Sequence, residues 1–286
     1  MAEYFSFQAA LFFSIAHVLI RRGLVHSNAL TGSVISLSTS ALVLWLLVFS
    51  MFPLSALWTP AIGYFIVAGF FAPAIGQTLG YIGIERIGVA RSAPIVNSAP
   101  IFSSTLAVIF LGELWVLQNI LGTMLVILGV VILSSSKPAA GQWRKFDVIF
   151  PLLGAFAFGI STTLRKTGLT ALHLPILGAA VTVGTGLFVL LALVGFRGGM
   201  KALKFNRQGC GWFMSAALVN TGAILSAFHA LNAGRIVIVE PLISCNPLLS
   251  IIWAGIFLKE LERLTLRTVV GAAVTVSGTI LVATVK

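Results

Sequence analysis

The run PIVNSAPIFSSTLAVIFLGEL, Pro94 to Leu114, returns with the same punctuation as PLISCNPLLSIIWAGIFLKEL, Pro241 to Leu261. Pro94 and Pro100 answer Pro241 and Pro247, Ser103 answers Ser250, Ala107 answers Ala254, and LGEL ending at Leu114 answers LKEL ending at Leu261. The chain is therefore a duplication. A proline removes an amide donor and crowds the preceding turn, so paired prolines inside an apolar run predict an opened helix with free carbonyls. In lipid such a break survives only where protein buries it or a water-filled cavity meets it. Matching interrupted helices in the two halves of a membrane chain point to a binding site between them.

Composition identifies the solvent. Of 286 residues 58% are hydrophobic and 9% charged, with a mean hydropathy of +1.07. Soluble domains carry roughly 25% charged residues, so this chain belongs in a bilayer. The net charge of +11 gathers in connecting segments, where Lys and Arg orient spans and meet anionic lipid. No basic face interleaved with aromatics is present, which excludes a nucleic-acid partner. Cys210 and Cys245 are too few and too dispersed for a disulfide framework or a thiolate metal site. Glu3 precedes the first apolar run and Arg21 and Arg22 end it without a small-residue cleavage site, so that run is expected to stay as a helix.

A spanning helix needs about 20 mostly apolar residues. The stretches that fit are Tyr4 to Ile20, Leu30 to Met51, Ala61 to Gly83, Val89 to Leu111, Val116 to Ser134, Val148 to Leu164, Ile176 to Phe196, Trp212 to Leu231, Ile236 to Phe257 and Leu266 to Val285. The polar segment SSSKPAAGQWRKFD, Ser134 to Asp147, separates the fifth from the sixth. Residues 1–136 and 148–286 are thus expected to form the two repeats, with 137–147 as the loop between them. Five spans is an odd number, so the second copy enters the membrane from the opposite side. The expected fold is an all-α membrane protein of ten transmembrane helices in two inverted five-helix repeats. Gly122 and Gly129 in the fifth span and Gly271 and Gly278 in the tenth are spaced for close helix packing, as a scaffold or a dimer face.

An apolar span ending in LGEL or LKEL, followed by a helix with glycines seven apart and present once per half, resembles the drug/metabolite transporter superfamily, specifically its EamA-type ten-helix members. The resemblance covers essentially the whole chain. It implies a secondary transporter, usually an exporter of small metabolites such as amino acids, with a central cavity between the halves and rocking alternating access. It also implies termini in the cytoplasm. The Lys and Arg bias points the other way: Arg21, Arg22, Arg86, Lys201, Lys204 and Arg207 follow odd-numbered spans, which puts both termini outside. Four-helix relatives that expel cationic drugs carry a glutamate in mid first helix. Here His17 is the only ionisable group in the body of that span, which argues against cationic drug export.

Candidate substrate-binding residues follow from the cost of polar groups in lipid. Glu240, directly before Pro241, is the acid that falls inside a span, and such a carboxylate is paired, protonated or facing water. It either binds a proton or substrate amine, or pairs with Arg235 or Arg91. His17 and His229 could relay protons or bond a neighbouring helix. Asn97 and Asn246 lie in the proline-bracketed segments and both donate and accept, which suits a polar neutral or zwitterionic solute; Gln77, Asn220 and Asn232 read more as interhelical glue. Arg91 either clamps a carboxylate or snorkels to the interface. Tyr81 contributes to an aromatic lining, whereas Arg165 and Lys166 read as anchors at the end of the sixth span. Pro94, Pro100, Pro241 and Pro247 are expected to shape the kinks and the cavity.

No His-Glu-x-x-His run, paired intramembrane carboxylates or Gly-x-Ser-x-Gly is present, so a membrane-embedded enzyme is disfavoured. A facilitative channel or uniporter for small polar solutes is the alternative to a carrier. No metal or cofactor is expected. The expected partners are a small-molecule substrate and the lipid bilayer, the location a multi-pass position in the cell inner membrane, and the state a monomer or homodimer.

Overall fold

The computed structural model describes residues 1–53, 57–99, 101–102, 117–135, 144–196, 201, 203–234, 239, 242–243, 245–261 and 265–283. Pro100, Glu240 and Pro241, and the first proline-bracketed run beyond Phe102, lie outside the described residues. Among the described residues the chain is helical and holds no strand. Six helices among the described residues are long and apolar enough to cross a membrane, and shorter apolar helices accompany them.

Helix α1 is Ala2–Leu24 and α2 is Ala29–Met51, opened by Asn28, whose side chain accepts from the Thr31 amide. The third span runs from Ile62 to Ile87 as α3 (Ile62–Gly69), a π-helical segment (Phe70–Gly76) and α4 (Gln77–Ile87). Pro73 sits inside the π segment, where its missing N–H leaves the ladder free to widen. Gly88, with φ of 81°, turns the chain at once into α5 (Val89–Val96). Then follow α6 (Leu117–Ser135), α7 (Ile149–Ala171), α8 (Pro175–Phe196), α9 (Arg207–Ala233), α10 (Asn246–Phe257) and α11 (Leu266–Ala283).

The packing is exchanged between the halves. Helix α1 lies along α9 and against α10, while α7 lies against the third span and α5. Helices α2 and α8 pack on each other, as do α5 and α10, and α6 and α11. Two notches show how closely these crossings fit. A Cβ at Gly23 or Gly32 would fall 2.6 Å or 2.8 Å from the Phe213 ring, and one at Gly168 or Gly178 would fall 2.8 Å from the Phe65 ring. Both rings are fully buried, so glycine is the residue that lets them seat. Helices α6 and α11 use the same device, because a Cβ at Gly278 would lie 2.6 Å from the Gly122 carbonyl and one at Gly129 would overlap Thr275.

The proline runs break where their spacing predicts a break. Helix α5 continues through Pro94 and stops at Asn97, followed by a turn, and α10 starts at Asn246 with Pro247 in its first turn. Pro94 and Pro247 are both buried in protein rather than turned to lipid. The expectation that Arg165 and Lys166 end the sixth span is corrected. Helix α7 runs on to Ala171, because both cations turn inward to protein partners and need no interface.

Candidate functional site

Between the exchanged bundles lie two adjoining cavities, of about 110 Å³ and 150 Å³. Phe13 and His17 of α1, Val96 of α5, and Phe158 and Arg165 of α7 line both. A water needs only about 10 to 15 Å³ of such space, so each cavity has room for several waters or a small polar solute.

The first cavity reaches the π segment. Pro73, Gln77 and Tyr81 face it from the third span, and Thr182 and Asn220 from α8 and α9. The Tyr81 hydroxyl lies 3.1 Å from Ser36 Oγ of α2 and donates to it, which fixes the ring against the wall. Gln77 differs. Its amide nitrogen is buried and has no hydrogen-bond partner among the described residues. A buried donor left unpaired is costly, roughly 1 to 3 kcal/mol, and an acceptor oxygen arriving in the cavity would remove that cost.

The second cavity is bounded by the two proline segments. Asn97 and Asn246 face each other across the break: Asn246 Nδ2 donates to Asn97 Oδ1 at 2.7 Å, and Asn97 Nδ2 reaches Asn246 Oδ1 at 3.4 Å. Each amide also donates to a carbonyl of its own segment, Ala93 at 2.9 Å and Ile243 at 3.0 Å. These are carbonyls near the helix breaks, so the asparagines stabilise the broken ends as well as joining them. His17 Nδ1 lies 3.0 Å from Ser250 Oγ, tying α1 to α10 beside the cavity.

Of the residues that the sequence offered for substrate binding, His17, Gln77, Tyr81, Asn97 and Asn246 line the cavities. His229 and Arg91 do not. His229 Nδ1 pairs with the Leu225 carbonyl at 2.8 Å and its ring lies 5.4 Å from that of Phe5, so it is held against α1 instead. Arg91 is 8% exposed, buried at the start of α5 with Nη1 3.4 Å from the Ile87 carbonyl, and so does not snorkel.

Sequence reasoning passed over Phe13, Phe158, Thr162 and the cavity position of Arg165, and placed Asn220 with the glue. Arg165 lies over the Phe228 ring, 5.5 Å from its centroid. A signal was present: Phe13 and Phe158 occupy matching positions in LFFSIAHVLIRRGL (Leu11 to Leu24) and FAFGISTTLRKTGL (Phe156 to Leu169). Among the described residues the cavity linings hold no carboxylate, and no cluster of His, Cys, Asp or Glu is placed to hold a metal ion. The lining offers amides, hydroxyls, an imidazole, a guanidinium and aromatic faces.

Comparison with known proteins agrees with this architecture. A Lactobacillus helveticus protein provisionally named for sugar uptake is 26% identical over 181 residues, covering 59% of this chain. The match spans 62% of that relative's length. A protein solved by crystallography aligns with a TM-score of 0.65 at 13% identity, covering 98% of this chain and 95% of the other, and establishes likeness of fold. The model of the EamA-like transporter family matches twice, over residues 1–135 and 145–284. This multi-pass membrane chain belongs to the EamA-like transporter family.

Proposed function

We propose that the protein is a secondary carrier that moves small polar metabolites across the cytoplasmic membrane by alternating access. The observation that carries this reading is the position of the cavities: they lie between two bundles that each draw helices from both halves, beside the broken ends of α5 and α10. Such a cavity opens to either side when one bundle rocks against the other about a fixed site.

An inverted pair of five-helix repeats, with boundaries near residues 136 and 148, accounts for the packing. The main contacts between the halves have counterparts: α1 on α9 answers α7 on the third span, and α1 on α10 answers α7 on α5. The seating of Phe213 on Gly23 and Gly32 answers that of Phe65 on Gly168 and Gly178. A twofold axis in the membrane plane would exchange the members of each pair.

The lining favours neutral or zwitterionic solutes with several oxygen atoms. Gln77, Asn97, Asn220 and Asn246 supply amides that both donate and accept, and Phe13 and Phe158 supply flat apolar faces. Sugars and amino acids both meet that description, and the name of the Lactobacillus relative favours sugars. Direction follows the coupled gradients; Glu240, the acid that the sequence alone puts inside an apolar run, is the candidate to carry a proton. The inner membrane is the expected location.

A counterflow experiment tests the carrier reading. Proteoliposomes loaded with unlabelled sugar or amino acid should accumulate external labelled solute transiently, with the order of preference matching a thermal-shift screen of the same solutes. Flux that continues without counter-substrate and does not saturate would instead identify a channel.

A further inference from the structure

We propose that Arg21 and Lys166 are the two gate residues of this cavity, one at each mouth, each holding its mouth shut by binding the carbonyl end of the helix opposite. The proposal rests on the alternating-access reading above and names residues that carry it out.

The two cations occupy matching positions. In the aligned segments LFFSIAHVLIRRGL and FAFGISTTLRKTGL, Arg21 meets Lys166, while Gly23 meets Gly168 and Leu24 meets Leu169. Their bonds match as well. Arg21 Nη1 of α1 donates to the Ile84 and Glu85 carbonyls, both at 3.0 Å, in the last turn of α4. Lys166 Nζ of α7 donates to the Leu231 carbonyl at 2.9 Å and the Gly234 carbonyl at 3.2 Å, at the end of α9. The last carbonyls of a helix carry the negative end of its dipole and keep acceptor capacity beyond a capping bond such as that from Gly88 N–H to the Ile84 carbonyl, so a cation is a natural cap for them.

Each strap crosses the seam between the bundles. Helix α1 packs with α9 and α10, and α7 packs with the third span and α5, so Arg21 and Lys166 bridge the seam in opposite senses. The straps also stand next to the cavity. Ile20 and Arg165, the residues immediately before the two cations, both line it. They mark opposite ends. Arg21 lies on the side of Arg86, which pairs with Asp147 at 2.6 Å, and Lys166 on the side of Gly234, where a Cβ would fall 2.5 Å from Ala2. Both straps are made in this conformation. Opening one mouth means releasing one strap and leaving the other.

The chemistry suits a gate that must release repeatedly. A cation on neutral carbonyls gains a charge-assisted bond without desolvating an opposing carboxylate. Loss of such a bond shifts an opening equilibrium by roughly tenfold.

The test uses the full chain with Cys210 and Cys245 replaced and a reporter cysteine introduced as Thr162→Cys in the cavity. A membrane-impermeant thiol reagent is applied to sealed vesicles of either orientation. Lys166→Met should speed labelling about tenfold from the face nearest Gly234 alone, and Arg21→Met from the opposite face alone. Arg21→Lys and Lys166→Arg, which keep the cation, should restore the parent rates and guard against a folding defect. Both variants opening the same face, or neither changing a reporter that labels in the parent, would overturn the gate assignment. A parent reporter that no reagent reaches from either face would instead remove the cavity reading beneath it.

Discussion

At the scale of single residues, the described groups that line the cavity differ in how far their polar atoms are already satisfied. The Tyr81 hydroxyl and His17 Nδ1 are spent on neighbouring helices, so substitution of either residue should disturb packing first. Gln77 holds a buried donor with no partner among the described residues. Gln77→Leu is therefore expected to leave the melting temperature unchanged or slightly raised while weakening solute binding about tenfold or more, read by thermal shift with and without solute. Asn246→Leu should do the reverse. It removes the donor that Asn97 Oδ1 accepts from, and hydrogen bonds between membrane helices are worth about 0.6 to 2 kcal/mol, so a measurable drop in melting temperature without solute is the expected outcome.

At the scale of helices, close approach replaces the hydrophobic effect as the source of order. The rings of Phe65 and Phe213 sit where any side chain on the facing helices would collide. Gly168→Val should cost about 1 to 3 kcal/mol by overpacking against Phe65, whereas Gly195→Val, where a Cβ meets nothing within 4 Å, should be close to neutral. Apparent melting temperatures in detergent would separate the two. These notches explain what was legible. Hydropathy alone located the six helices long enough to span, since length and apolarity are what lipid requires, and the proline runs pointed to the breaks at Asn97 and Asn246. The widened turn around Pro73 was missed because a lone proline in FFAPAIG has no copy in the other half to draw attention to it. Arg165 was misplaced because a charge near the end of an apolar run looks like an interfacial anchor. Which way its side chain turns depends on Phe228, a residue remote in sequence. Polar residues on one helix do not reveal which neighbour they face, so the amide pair Asn97 and Asn246 could be proposed, but its reciprocal bonding could not.

For the whole molecule, the distribution of charge predicts an orientation that labelling can test. The end that holds Arg21, Arg22, Arg86 and Lys204 is bound together by contacts from these residues and their neighbours, among them Arg22 Nη2 on the Phe257 carbonyl at 2.6 Å and the Lys204 amide on Thr31 Oγ1 at 2.8 Å. Basic residues in short connections favour the cytoplasm. A single cysteine placed as Lys201→Cys should be labelled from the cytoplasmic side, and one placed as Glu3→Cys from the outside. The opposite pattern would give the orientation implied by the family resemblance. The exchanged packing has a further consequence for how the chain is made. Helix α1 has its main mate in α9, so α9 must be synthesised before α1 can bury its inward face. Until then that face has only lipid or shorter-range neighbours to meet, so a chain cut before α9 should fail to hold α1 in place.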